Sequence, residues 1–197
     1  MMNLKKFKRL SDIPKPRFQL IWQDWEEWRT FLEFASAYFK NRGIRKPLIV
    51  EIGVMHNEQR TFYKELLNAD YIGIDINVNN EPDIVGDSSK PEVLEKLKSV
   101  LAGRKIDLLF IDGNHAYEGV KADYELYGPL VKHLIVFHDV HGITKRCSGV
   151  NPLWDEVVEE NQYMTLVIHR YNATVSIEEN RFMNMGIGIV IKGVDKD

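Results

Sequence analysis

The rhythm of apolar and polar positions changes near residue 46. Before it, Ile21, Trp25, Trp28, Leu32, Ala35 and Phe39 recur at steps of three or four, and Trp22 and Phe31 widen the stripe. This spacing predicts an amphipathic helix over residues 20–40, packed either on the body of the protein or across a dimer interface. After residue 46 come short, continuous apolar runs: KPLIVEIG, YIGID, DIVGDS, KIDLLFIDG, HLIVFHDVH, YMTLVIHR and MGIGIVIK. Helical segments fall between most of them, at residues 58–68, PEVLEKLKSVLAG, EGVKADYELYGPLV and NPLWDEVVEEN. Pro91 opens the second of these and Gly103 closes it, as helix ends favour.

Continuous apolar runs mean strands buried on both faces, which marks a parallel sheet between helix layers. The last two runs have no helical pattern between them and are expected to pair antiparallel. Only residues 76–82 separate the second and third runs, against the ~10–12 residues of an ordinary parallel crossover. The third strand is therefore expected to be very short, or its link an extended loop. The chain divides into a basic arm plus amphipathic helix, residues 1–45, and an α/β domain, residues 46–197.

Composition narrows the class. The 197 residues are 44% hydrophobic and 28% charged, ordinary globular values that exclude collagen, coiled coil and wholesale disorder. No apolar run approaches the ~20 residues that cross a bilayer, so no membrane partner is expected. Lys5, Lys6, Lys8, Arg9, Lys15 and Arg17 face one acid, Asp12, near the start, and Pro14 and Pro16 forbid a regular helix there. The net charge of −3 argues against a general nucleic-acid binder. The one cysteine, Cys147, makes no internal disulfide, and a reducing cytoplasm is the expectation.

In open α/β sheets ligands bind beyond the carboxyl ends of the strands. Glu51, Gly53, Asp75, Asp87, Asp112, His115, His138 and Asp139 stand at those ends. A glycine after the first strand lets the backbone approach a ligand, and a strand-end acid such as Asp75 can accept both hydroxyl hydrogens of a ribose. Asp112 and Asp139 end strands expected to be neighbours, so they can share a hard dication such as Mg²⁺, with His138 as a third ligand. His115 would hang over the same site as a general base near neutral pH. The bland alternative makes Asp112 and Asn114 helix caps and His115 a packing residue. Residues 141–150 are read as a lid over the acceptor.

The segments IVEIGV, YIGIDI, DIVGDS, IDLLFIDGNHAYEGVKADYELYGPLV, LIVFHDV, GVNPLWDEV and GIGIV carry a resemblance. Over residues 47–192 the chain resembles the class I S-adenosylmethionine-dependent methyltransferases, and more narrowly family 24, related to sugar O-methyltransferases and cephalosporin hydroxylase-like proteins. The resemblance implies a Rossmann-like α/β fold: a seven-stranded, mostly parallel sheet with an antiparallel last strand and helices on both faces. It implies adenosylmethionine near Glu51 and Gly53, its ribose on Asp75 and its adenine near Asp87 and Ser88. It also implies that Asp112 borders the cofactor and, for the metal-dependent branch, that a cation is held at Asp112 and Asp139 with a base at the position of His115. The expected reaction is O-methylation of a small hydroxylated acceptor, of sugar or natural-product type. The alternatives are a metal-free methyltransferase, a degenerate binding protein without turnover, and a nicotinamide oxidoreductase, weakened by the missing G-x-G-x-x-G. Two departures stand out. Asn57, Glu58 and Gln59 occupy a loop that usually carries further glycines and a serine, and His138-Asp139 replaces two adjacent acids or Asp-Asn.

Overall fold

The computed structural model describes residues 24–142, 149–160, 162–169 and 185–193. The basic arm, Ile21, Trp22, Cys147 and most of the expected lid lie outside the described residues. The elements follow in the order α1 (Trp25–Asn41), β1 (Leu48–Ile52), α2 (Gln59–Leu66), β2 (Asp70–Asp75), β3 (Ile84–Val85), α3 (Pro91–Leu101), β4 (Ile106–Ile111), α4 (Tyr117–Tyr127), β5 (Val131–His138), α5 (Val150–Glu159), β6 (Met164–Ile168) and β7 (Ile187–Ile191). They build one seven-stranded sheet in the order β3-β2-β1-β4-β5-β7-β6. β7 runs antiparallel to both its neighbours, β5 and β6. The pairs β1–β2, β1–β4, β2–β3 and β4–β5 are parallel.

The two faces of the central strands divide the core. Ile49, Leu108, Phe110, Leu134 and Val136 pack under α1 and α2, while Val50, Leu109, Ile135 and Phe137 pack under α3, α4 and α5. Successive strand residues point to opposite faces, so a run buried throughout serves two helix layers at once. The Asp24 carboxylate caps α1 by accepting the backbone N–H groups of Glu26 and Glu27. Trp28 of α1 is fully buried and meets Phe31, Phe62, Tyr63 and Phe110, so this helix packs on the body of the protein.

The short link between β2 and β3 has a local solution. A 3₁₀ turn, Val78–Asn80, takes up the slack, and β3 is only two residues long. Asp75 holds the turn by accepting the backbone N–H of Asn77 and the side-chain amide of Asn80.

Candidate active site

The carboxyl ends of β1, β2, β4 and β5 open into a cavity of about 670 Å³. Gly53, Asp75, Asp87, Ser88, Asp112, His115, His138 and Asp139 all line it. Eight of the nine residues singled out from the sequence thus meet in one space.

The ninth, Glu51, does not reach it. Glu51 is fully buried on the α1 face of the sheet, where the Tyr71 hydroxyl donates to its carboxyl. Burial pushes this carboxyl up to about 8, against the lowering effect of the Tyr71 hydroxyl and with a further upward push from Asp112. At neutral pH it is therefore mostly a neutral acid beneath the cavity, which differs from the contact expected of a strand-end acid.

Gly53 has a φ of +84°, and a side chain there would meet the Asp112 carbonyl oxygen at 2.1 Å. The space freed by the missing Cβ is filled by the protein's own β4 loop. The next turn uses left-handed residues in place of glycines: Met55 has φ 46° and Asn57 φ 57°. Asn57 is of a residue type that enters this region more readily than most, and its side-chain amide donates to the Glu81 carbonyl at 2.8 Å, in the link between β2 and β3. Asp75 accepts the N–H groups of Val54 and Met55, tying this turn to the end of β2. The Asp87 carboxylate accepts both the backbone N–H and the hydroxyl of Ser89, which hold it below the usual carboxylate range.

A four-residue cluster closes the other side. The ring of His115 lies between two carboxylates, with Nε2 3.0 Å from Asp112 Oδ1 and Nδ1 3.0 Å from Asp139 Oδ2. Nδ1 of His138 is 3.1 Å from the same Asp112 oxygen and 3.4 Å from Asp139 Oδ1. Asn114, not Asp112, serves the start of α4, accepting the N–H of Ala116. Burial opposes the charge on Asp112, yet His138 and His115 hold its carboxyl well below the usual range. Asp139 is lowered in the same way, burial again opposing and His138 prevailing. Burial likewise opposes the charge on His138, but Asp112 and Asp139 raise its pKa. Asp139 adopts a left-handed φ of 62° to bring its carboxylate inward.

Other parts of the wall were not anticipated. Met55, Asn77, Asn80 and Met185 also line the cavity, beside Gln59 of the atypical loop that the sequence had marked. Met185 comes from just before β7, and its carbonyl accepts the N–H of His141. Its neighbour Gly186 donates to the buried carboxylate of Glu27, so α1 anchors this wall. Asp123 of α4 is buried behind Gly113, and burial pushes its carboxyl up to about 7. An acid inside the buried stripe Val120, Asp123, Tyr127 is the signal that could have marked it.

Known proteins resemble this chain in family and in fold. Residues 17–140, more than half of the chain, match the model of the family Methyltransf_24, described as a methyltransferase domain. The chain belongs to this methyltransferase family. The match ends one residue beyond Asp139, so it takes in the whole cluster. No curated protein matches the chain. Among solved structures, a Staphylococcus aureus protein designated a caffeoyl-CoA O-methyltransferase superposes with a TM-score of 0.59 at 17% identity, covering 96% of this chain and 90% of its own. The O-methyltransferase TomG of Streptomyces achromogenes, involved in tomaymycin synthesis and bound to SAM, gives 0.56 at 13% identity over 84% and 81%. The MycE methyltransferase of the mycinamycin pathway, with Mg and SAH, gives 0.54 at 17% identity over 82% of this chain and 48% of its own. The chain thus spans about half the length of MycE. At these identities the likeness is one of fold, and it is the fold that the strand order describes.

Among the described residues, no helix is long and apolar enough to cross a membrane.

Proposed function

We propose that this methyltransferase-family chain transfers the methyl group of adenosylmethionine to a hydroxyl of a small acceptor molecule. One observation carries the reading: the cradle formed by Gly53, Asp75, Asp87 and Ser88 shares its cavity with the His115 cluster. A cavity of about 670 Å³ suits a nucleoside-sized ligand. Asp75 lies at the place for ribose hydroxyls, with Asp87 and Ser88 beyond it for the base. Bound there, adenosylmethionine supplies a methyl group already activated on a sulfonium, so the protein's work is alignment and proton removal.

His115 does the second task. Asp139 orients its ring through Nδ1, while Nε2, 3.0 Å from Asp112 Oδ1, exchanges that contact for the acceptor hydroxyl and takes its proton. Two neighbouring carboxylates held ionised then stabilise the imidazolium. The donor chemistry of Asp112 and Asp139 fits a divalent cation, with His138 beside them; a cation held there would polarise the acceptor hydroxyl. The same reading takes a small molecule as the partner and the cytoplasm as the site of action.

Titration calorimetry with adenosylmethionine and with NAD, followed by detection of adenosylhomocysteine over a panel of phenols, sugars and hydroxylated natural products, tests this. Binding of adenosylmethionine and product with at least one acceptor are expected. Binding of NAD alone would sink the reading. Cofactor binding without product across the panel would favour the degenerate binding protein.

A further inference from the structure

We propose that the centre at the ends of β4 and β5 selects a first-row transition dication of the Zn²⁺ type over Mg²⁺, and that His138 sets this preference. The inference rests on the reading above only in treating the cluster as a cation site; it does not depend on the cofactor.

His138 Nδ1 stands where the two carboxylates converge, 3.1 Å from Asp112 Oδ1 and 3.4 Å from Asp139 Oδ1. A cation held at this Asp112 oxygen therefore meets an imidazole nitrogen as well. One ligand atom each from Asp112, His115 and His138 lie within 4.8 Å of one another. Adjacent corners of an octahedron built on bonds of ~2.1 Å are roughly 3.0 Å apart, and a tetrahedron of similar bonds has edges of about 3.4 Å. The separations in the cluster, 3.0, 3.1 and 3.4 Å, fall in that range.

The imidazole does not swing aside. The His138 side chain is buried and its ring stacks on Phe110, with centroids 6.4 Å apart and planes at 28°. Asp139 holds its carboxylate in place from a left-handed backbone, a conformation that costs free energy and clusters at functional sites. Mg²⁺ favours oxygen donors and keeps several waters. Zn²⁺, Fe²⁺ and Ni²⁺ accept imidazole readily, and a set mixing imidazole with carboxylate is theirs by donor type. A second carboxylate at position 138 would restore an all-oxygen set, so the selectivity is written in this one side chain.

The test is calorimetric titration of the metal-stripped, full-length protein with Zn²⁺ and with Mg²⁺, for the wild type and for His138→Asp. The exposed His56→Ala is the control, and circular dichroism reports the fold. In the wild type, Zn²⁺ is expected to bind at least ~100-fold more tightly than Mg²⁺. In His138→Asp that ratio is expected to shrink by ~10-fold or more, through weaker Zn²⁺ and stronger Mg²⁺ binding. The control is expected to keep the wild-type ratio. His138→Asn, which places an amide oxygen near the position of Nδ1, takes its place if the aspartate variant does not fold. Equal affinities in the wild type, an unchanged ratio in the variant, or no binding of either metal would each overturn the proposal. Adenosylmethionine titration on the same samples separates the two readings. Metal selectivity without cofactor binding removes the methyltransferase assignment alone, and cofactor binding without selectivity removes this inference alone.

Discussion

Nδ1 of His115 lies 3.0 Å from Oδ2 of Asp139, so a residue on the loop after β4 takes its orientation from one at the end of the neighbouring strand β5. The pair exists only because the two strands lie side by side in parallel register. His115→Gln removes the proton acceptor and keeps the bulk. Turnover is expected to fall by ~10²–10⁴-fold, with adenosylmethionine affinity within a few-fold of wild type. Adenosylhomocysteine formation and calorimetry on the same preparation check it; wild-type turnover would remove His115 from the mechanism.

Gly149 acts on the same histidine through the backbone. Its N–H donates to the His115 carbonyl at 3.2 Å, and a Cβ there would meet the Tyr117 nitrogen at 2.1 Å. Gly149→Ala must displace the His115 loop. The expected result is a kcat lowered by ~10-fold or more, since small misplacements of a reacting group are expensive, with cofactor binding kept. Steady-state kinetics that separate kcat from KM report this directly.

Glu51 predicts a pH dependence of stability. Its carboxyl is raised from 4.5 to about 8 by burial. Between those values the unfolded chain releases the proton and the folded chain retains it. The associated stability is complete below about pH 4.5 and is lost as pH rises toward 8. Glu51→Gln is neutral throughout, so it gains on wild type by up to about 1.4 kcal/mol per pH unit across that window. Urea denaturation of both proteins at pH 5, 6, 7 and 8, round values spanning roughly the window of linkage, reads the difference. A constant difference would mean that Glu51 ionises normally in the fold.

Trp28 ties α1 to the sheet. Its ring is fully buried against Phe31, Phe62, Tyr63 and Phe110. Trp28→Ala is expected to cost ~3–5 kcal/mol, through lost burial and the cavity left behind. Because Glu27 of the same helix holds Gly186 beside Met185, the variant is also expected to loosen the cavity wall. Chemical denaturation measures the first effect, and faster amide exchange at residues 185–187 the second.

The sheet was legible because its central strands are apolar over most of their length, on both faces, which a two-sided burial demands and a surface strand does not. The short third strand showed itself as a link too brief for a helix. The acids at strand ends were visible too, but not which way each points. Glu51 illustrates the difficulty. It precedes Ile52, which lines the cavity, and alternation sends it to the opposite face, where Tyr71 waits on β2. Only the pairing of two strands supplies that partner. Glu27 was hidden for a related reason: an acid within a buried helical stripe reads as an interruption until its acceptor role toward Gly186 is known. Met185 reaches the site through the return of β7, a contact too distant in the chain for local pattern to register.

The α-carbon of Gly53 rests against the carbonyl of Asp112, with no room for even a methyl group between them. The two banks of the cleft are thus interlocked, nucleoside side and histidine side alike. Any side chain at position 53 would have to push the backbone of Asp112 and Gly113 aside, and with it the start of the segment that carries His115, so the close fit of these two turns is a condition for the shape of the whole crevice.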